Sequence, residues 1–188
     1  MFGSEPSHSA KIALEKFKKN NVKHIIELGA GLGRDTIFFA KNSIKVTALD
    51  YSPTAVEIIK NKSNSLGLND LIEVQTHDLR QKLNFTDNSF DGCYSHMLYC
   101  MAFTYSELEN LNNEVCRVLN KDSLNIYTVR NHSDADYKKG TYRGEDLYEM
   151  NGYIVHYYSN EKIKKLLNGF KNLSIDYFDE GSFPRKLS

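Results

Sequence analysis

Polar and apolar residues follow two periods along this chain, and the two periods take turns. Between about Ser9 and Asn20, Ile12, Ala13, Leu14 and Phe17 recur among lysines at helical spacing, which predicts an amphipathic helix. Ile25, Ile26 and Leu28 make the short apolar run of a buried strand over Lys23–Leu28. Thr36 to Ala40 gives a thick apolar face and predicts a helix over Arg34–Lys41. Ile44–Leu49 reads as a second strand ending at Asp50. Ser52 is placed to cap, and Pro53 to open, a helix that runs to Leu66 and stops at Gly67. Leu71–Gln75 and Phe90–Ser95 read as the third and fourth strands. Ser106 with Glu109 three residues on has the spacing of a capping box and opens a helix to Leu119. Ser123–Val129, a helix over Ser159–Leu167 and Leu173–Phe178 complete the pattern as fifth strand, helix and sixth strand.

Strands that alternate with helices predict an α/β fold: a single Rossmann-like, doubly wound, mostly parallel sheet with helices on both faces. The 188 residues are read as one domain. Right-handed crossovers place a ligand at the carboxyl ends of the strands, beside the first one. The stretch from about 130 to 158 is too long for a plain connection. It starts at the carboxyl end of the fifth strand and is expected to be a lid or insert. Within it, Gly152 to Tyr158 alternates weakly, as an added strand would.

Composition narrows the partners. Lys plus Arg equals Asp plus Glu at 24 each, so the formal charge is zero. A non-specific nucleic-acid or membrane-surface binder would show a basic excess, so neither partner is expected. No apolar run approaches a membrane span, and the first residues lack the basic-then-apolar layout of a signal peptide. Cys93, Cys100 and Cys116 are spaced unlike a zinc motif. Reduced thiols in a cytoplasmic protein are therefore expected.

The chemistry concentrates at the predicted strand ends. Glu27 sits inside the first strand, and Gly29-Ala30-Gly31-Leu32-Gly33 follows it. Glycines permit positive φ and leave no Cβ in the way, so backbone can meet a nucleotide-like ligand at the start of a helix. The spacing G-x-G-x-G, with Arg34 where a third small residue would fall, departs from the dinucleotide pattern. A Walker loop's G-K-[ST] is absent. Asp50 ends the second strand, where an acid accepts from ribose hydroxyls, and Tyr51 and Ser52 follow it. Asp78 and Leu79 follow the third strand. Ser95 and His96 follow the fourth, and His96, an imidazole, is a candidate general base. The long segment carries Arg143 and Tyr148, taken with His96 as catalytic candidates. His132, Asp134 and Asp136 alternate like ligands, but a solvated loop is the commoner outcome and no metal is expected.

An acid in the first strand followed by G-x-G-x-G, with Asp50, Asp78 and the segment Ser95–Met101, resembles the class I S-adenosylmethionine (SAM) methyltransferases over nearly the whole chain. G-R-D-T-I-F-F-A, V-T-A-L-D-Y-S and R-G-E-D-L-Y-E look most similar to the compact group that includes TehB-type tellurite-resistance enzymes. The resemblance implies SAM as cofactor and S-adenosylhomocysteine as its product. It implies Glu27 facing the ammonium, turn amides facing the carboxylate, and Asp78 with the Leu79 amide clamping adenine. It implies a small acceptor: a thiol, a metalloid oxyanion or another small nucleophile. The family's seventh strand, hairpin-linked to the sixth, is read as missing or truncated, since the chain stops soon after Gly181-Ser182-Phe183-Pro184. Two rivals stay open: a non-catalytic SAM-binding domain and an NAD-type oxidoreductase. Arg34 and Asp78 disfavour the oxidoreductase.

Overall fold

The computed structural model describes residues 5–167, 169–171, 174–180 and 185–187. In chain order the elements are α1 (His8–Lys19), β1 (His24–Leu28), α2 (Arg34–Lys41), β2 (Lys45–Asp50), α3 (Pro53–Leu66), β3 (Ile72–Thr76), β4 (Phe90–Ser95), α4 (Tyr105–Val118) and β5 (Leu119–Tyr127). Then come β6 (Arg130–Asn131), β7 (Thr141–Tyr142), β8 (Leu147–Met150), β9 (Tyr153–Tyr158), α5 (Asn160–Lys165), β10 (Phe178–Glu180) and β11 (Arg185–Leu187). The chain forms two compact units, one of residues up to His96 with Arg117–Tyr127, the other of Met97–Cys116 with the residues from Thr128 onward.

The first unit is built on a five-stranded sheet in the order β3-β2-β1-β4-β5, every neighbouring pair parallel. Parallel strands are buried on both faces, and the sequence shows it. Ile25, Val46, Ala48, Val74 and Tyr94 join one core cluster with Ala13, Phe17, Phe39, Val56 and Ile59 from α1, α2 and α3. Ile26, Leu28, Leu49 and Cys93, at the intervening positions, are buried as well. The strand order reverses at β1, whose neighbours are β2 and β4, so the carboxyl ends of β1 and β4 lie side by side with Glu27 in register with Tyr94. In open α/β sheets this switch point is where ligands bind.

Local signals explain the element ends. Ser52 accepts from the Ala55 amide at 3.3 Å to cap α3, and Gly67, at φ 64°, closes it. For α4 the capping box is two residues earlier than the Ser106/Glu109 spacing predicts. The Thr104 amide donates to Glu107 at 2.7 Å, and the Glu107 amide to Thr104 Oγ1 at 3.3 Å. Both pairs have the right spacing, and the backbone engages the upstream one.

The second unit carries a six-stranded sheet in the order β10-β11-β6-β9-β8-β7. Gly152–Tyr158 does supply a strand, β9. The expected sixth strand begins later than predicted: Ser174–Tyr177 is irregular and Phe178–Glu180 is the strand, while Leu173 lies outside the described residues. The seventh strand, read as missing or truncated, is present as the three residues of β11, antiparallel to β10 and to β6. Buried hydrogen bonds tie this unit together. The Tyr99 hydroxyl donates to Asn112 at 2.6 Å, Asn112 donates to the Leu166 carbonyl, and the Tyr158 hydroxyl donates to the Tyr99 carbonyl at 2.6 Å.

Candidate cofactor site

The turn from β1 to α2 is set by backbone geometry. Gly29, Gly31 and Gly33 all have positive φ. At Gly31 (φ 56°) a Cβ would meet nothing within 4 Å, so open space lies against bare backbone. At Gly33 (φ 77°) a Cβ would come within 2.7 Å of Ile59 Cγ1. Gly31 thus keeps space clear outside the turn, and Gly33 lets α2 and α3 approach. Four of the turn's amides bond within the chain. Gly29 and Ala30 donate to the Leu49 carbonyl, Gly33 to the Ala30 carbonyl, and Gly31 to Asp50 Oδ2 at 2.7 Å. The three glycines therefore contribute absence of bulk, their amides being engaged by the Leu49 and Ala30 carbonyls and by Asp50.

Asp50 is the hinge between two turns. One carboxylate oxygen takes the Gly31 amide, and the other takes the Ser52 amide at 2.9 Å. Each oxygen keeps a lone pair for a ribose hydroxyl. Tyr51 beside it is 72% exposed. The His77 amide donates to the Asp50 carbonyl, which draws the loop after β3 to the same end of the sheet. In that loop Asp78 accepts from the Arg80 amide at 3.0 Å and pairs with the Arg80 guanidinium at 3.6 Å, while Leu79 is buried.

Glu27 is only 3% exposed, because strand alternation turns it to the face of Ala48 and Tyr94. Among the described residues it is bonded by the Thr36 hydroxyl, which donates at 2.6 Å. Burial, reinforced by the Asp35 charge nearby, pushes its carboxyl up to about 8. Arg34, with its side chain 16% exposed, turns to Asp35, its Nε donating at 3.1 Å. Ser95 is buried, and its hydroxyl has no hydrogen-bond partner among the described residues. His96 Nδ1 lies 3.0 Å from Ser9 Oγ.

The structure therefore brings Glu27, Gly29, Ala30, Gly31, Gly33, Arg34, Asp50, Tyr51, Ser52, Asp78, Leu79, Ser95 and His96 together at the carboxyl end of one sheet. Arg143 and Tyr148 belong to the second unit. Arg143 is exposed and donates to Glu149 at 2.7 Å, and Tyr148 packs against Tyr137 and Tyr142. The His132–Asp136 alternation serves an ion pair: Arg130 Nε donates to Asp134 at 2.9 Å, and its Nη2 to Asp136 at 3.0 Å.

Sequence reasoning missed Ser7, Ser9, Asp35 and Tyr94 as a group. The Ser7 amide and hydroxyl donate to Asp35 at 2.8 and 2.7 Å, and the Tyr94 hydroxyl donates to it at 3.1 Å. The only signal available was Tyr94 on the core face of a strand, where its hydroxyl requires a partner.

The Methyltransferase domain family matches residues 25–122. The Caenorhabditis elegans sterol 4-C-methyltransferase strm-1 is 28% identical over 105 residues, 56% of this chain. The chain spans 30% of the length of that curated relative. Among solved structures, an S-adenosylmethionine-dependent methyltransferase from Clostridium acetobutylicum superposes with a TM-score of 0.73 at 16% identity, covering 95% of this chain and 87% of the other. A SAM-dependent methyltransferase from Methanosarcina mazei superposes at 0.72 with 18% identity, covering 87% and 88%. These likenesses establish the fold. The family match, which falls on the elements that carry the glycine turn, Asp50, Asp78 and His96, establishes the rest: the chain belongs to the methyltransferase-domain family of class I SAM-dependent methyltransferases, and SAM is the cofactor this membership implies.

Proposed function

We propose that this chain transfers the methyl group of SAM to a small-molecule acceptor, as a cytoplasmic enzyme. The observation that carries the reading is the open space against the Gly31 backbone, with Asp50 bonded to the Gly31 amide beside it. The residues fit the cofactor. Asp50 takes ribose hydroxyls with its remaining lone pairs, and Asp78 with the Leu79 amide takes the adenine edge, with Tyr51 and Ser52 alongside. Glu27 faces the cofactor's ammonium, which supplies the cation that its buried carboxyl lacks among the described ion pairs. The cofactor's carboxylate lies toward the amino-terminal end of α2, where the helix dipole favours an anion and Arg34 adds positive charge. When bound, the cofactor supplies an activated methyl on a sulfonium, so the protein's task is to position the acceptor in line and exclude water.

The balanced charge supports a small, polar or polarisable acceptor over a macromolecule. In this reading Arg143 and Tyr148 take part on the acceptor side, together with the segment of about 130–158. Calorimetric titration with SAM, S-adenosylhomocysteine and NAD tests the cofactor. The first two should bind and NAD should not; binding of NAD alone would overturn the reading. Release of S-adenosylhomocysteine with a panel of thiols, metalloid oxyanions, amines and phenols tests the transfer. Cofactor binding without release for any acceptor would favour a non-catalytic SAM-binding domain.

A further inference from the structure

Glu27 is buried without a cation of its own. The groups that act on it come from each element packed against β1: Asp35 and Arg34 from α2, Asp50 from β2, and Cys93 and Tyr94 from β4. Two of these are carboxylates, which oppose its ionisation. Arg34 favours it, but that guanidinium is bonded to Asp35 at 3.1 Å. Among the described residues Glu27 forms no ion pair, and the hydrogen bond it accepts is the one that Thr36 donates to Oε2 at 2.6 Å. Thr36 is itself fully buried in the first turn of α2, so its hydroxyl is held in place. Asp50, which bonds the Gly31 amide at 2.7 Å, ties this carboxyl to the end of the sheet where the glycine turn lies open. Burial first, then the Asp35 charge, pushes the Glu27 carboxyl up to about 8, and the Thr36 hydrogen bond pulls the other way. The empty site therefore holds a proton at neutral pH.

We propose that Thr36 is a positioning residue that makes Glu27 a proton-exchanging ammonium site: the carboxyl is neutral in the empty protein and ionises as the ligand's ammonium arrives. This rests on the cofactor reading above, and it adds a proton to the binding equilibrium. Glu27 gives its proton to solvent, its carboxylate keeps the electron pair of the broken oxygen–hydrogen bond, and the ammonium keeps its hydrogens. One of those hydrogens meets Oε1, the oxygen that Thr36 leaves free. The Thr36 hydroxyl stays on Oε2 and stabilises the charge as it forms. Cofactor binding is then weaker in acid. Below the range in which the empty site titrates, each pH unit costs about a factor of ten in affinity, and about one proton leaves per ligand bound. A ligand without the amine draws no proton, because a buried carboxylate with no cation to meet is costly.

The test is calorimetric titration of the full chain with S-adenosylhomocysteine in buffers of different ionisation enthalpy, between about pH 6 and about pH 7, where the ligand's amine stays charged. The expected result is release of about one proton per ligand, with affinity rising about tenfold across the interval. The deaminated analogue of S-adenosylhomocysteine, and Glu27→Gln with the parent ligand, should each release no proton and change affinity by less than about twofold. Thr36→Val removes the hydroxyl but keeps the shape, and should weaken S-adenosylhomocysteine binding roughly fivefold or more at neutral pH, while Thr36→Ser restores it. The same variant should bind the deaminated analogue as the unmodified chain does, which a mere loss of packing would not spare. Binding of S-adenosylhomocysteine with no proton released overturns the proton exchange and leaves the cofactor reading standing. A pH slope that survives in Glu27→Gln or with the deaminated analogue places the proton on another group and overturns it as well. A Thr36→Val chain that binds like the unmodified one removes the positioning role. An unmodified chain that fails to bind S-adenosylhomocysteine throughout the interval overturns the cofactor reading, and this inference with it.

Discussion

Two buried carboxylates, Glu27 in the first unit and Asp134 in the second, are treated in opposite ways. Asp134 is held by Arg130, which is buried with it and bonds it through two nitrogens, so the charge arrives already balanced. Glu27 has one hydroxyl donor and neighbouring negative charge, and its carboxyl rises to about 8. Ion-pair geometry of the Arg130 kind stabilises a structure against itself. A carboxyl left without its own cation is costly to ionise, and such groups concentrate where a ligand brings the charge. The same contrast holds for the backbone. Every left-handed position in the β1–α2 turn is a glycine. In the second unit Lys138, Glu145, Asp146 and Asn151 adopt positive φ alongside Gly140, Gly144 and Gly152. One turn is cleared of side chains for close approach; the other segment accepts strain to hold side chains in place.

The largest effect should come from the pH dependence of Glu27. Its folded-state carboxyl is raised from 4.5 to about 8, so between these values the folded protein binds a proton that the unfolded chain has released. Stability is then full below about pH 4.5, falls as pH rises, and levels off above about 8. The loss is on the order of 5 kcal/mol across the window. Urea denaturation at a series of pH values should show that slope and Glu27→Gln should flatten it, while the same variant binds SAM at least about tenfold more weakly. An unchanged slope would remove Glu27 from this side of the comparison.

Arg130→Ala should cost about 3–5 kcal/mol, because it leaves the Asp134 charge buried and unpaired. Denaturation midpoints check it, and a loss below about 1 kcal/mol would mean that the pair is not buried in solution. Next come the two glycines. Gly33→Ala meets Ile59 and a left-handed φ, so it should destabilise by roughly 1–3 kcal/mol. Gly31→Val meets only the backbone strain, about 1–2 kcal/mol, and stays folded, yet it should lose SAM binding in calorimetry. Equal effects on stability and binding at both positions would erase the distinction between packing and cradle. The smallest effect is at Arg143. It is exposed and paired to Glu149, so Arg143→Ala should shift stability by less than about 0.5 kcal/mol and leave SAM affinity unchanged, with any loss confined to turnover.

Much of the first unit was legible before any coordinates. The helix Arg34–Lys41, the strand Phe90–Ser95 and the capped helix from Pro53 to Gly67 follow from short-range rules, since periodicity, caps and glycines act within a few residues. The glycine turn, Asp50 and Asp78 could be assigned to strand ends because parallel α/β topology has few solutions. The second unit was read less well. Its strands are only two to six residues long, β6 pairs with β9 and β11 far along the chain, and such short pieces carry too little periodicity to outweigh their partners.

What the sequence determined by itself was therefore the alternating architecture, the family and the open backbone of the turn, because each is encoded in local spacing. Only the tertiary structure decided that the Gly29, Ala30 and Gly31 amides serve Leu49 and Asp50, that Glu27 is enclosed rather than solvated, and that Ser7 and Ser9, at the start of the first helix, reach Asp35, Tyr94 and His96. These are contacts between residues 19 to 87 positions apart or the burial they produce. A hydrogen-bond partner or a loss of solvent that depends on a distant segment leaves no trace in the local pattern of a chain.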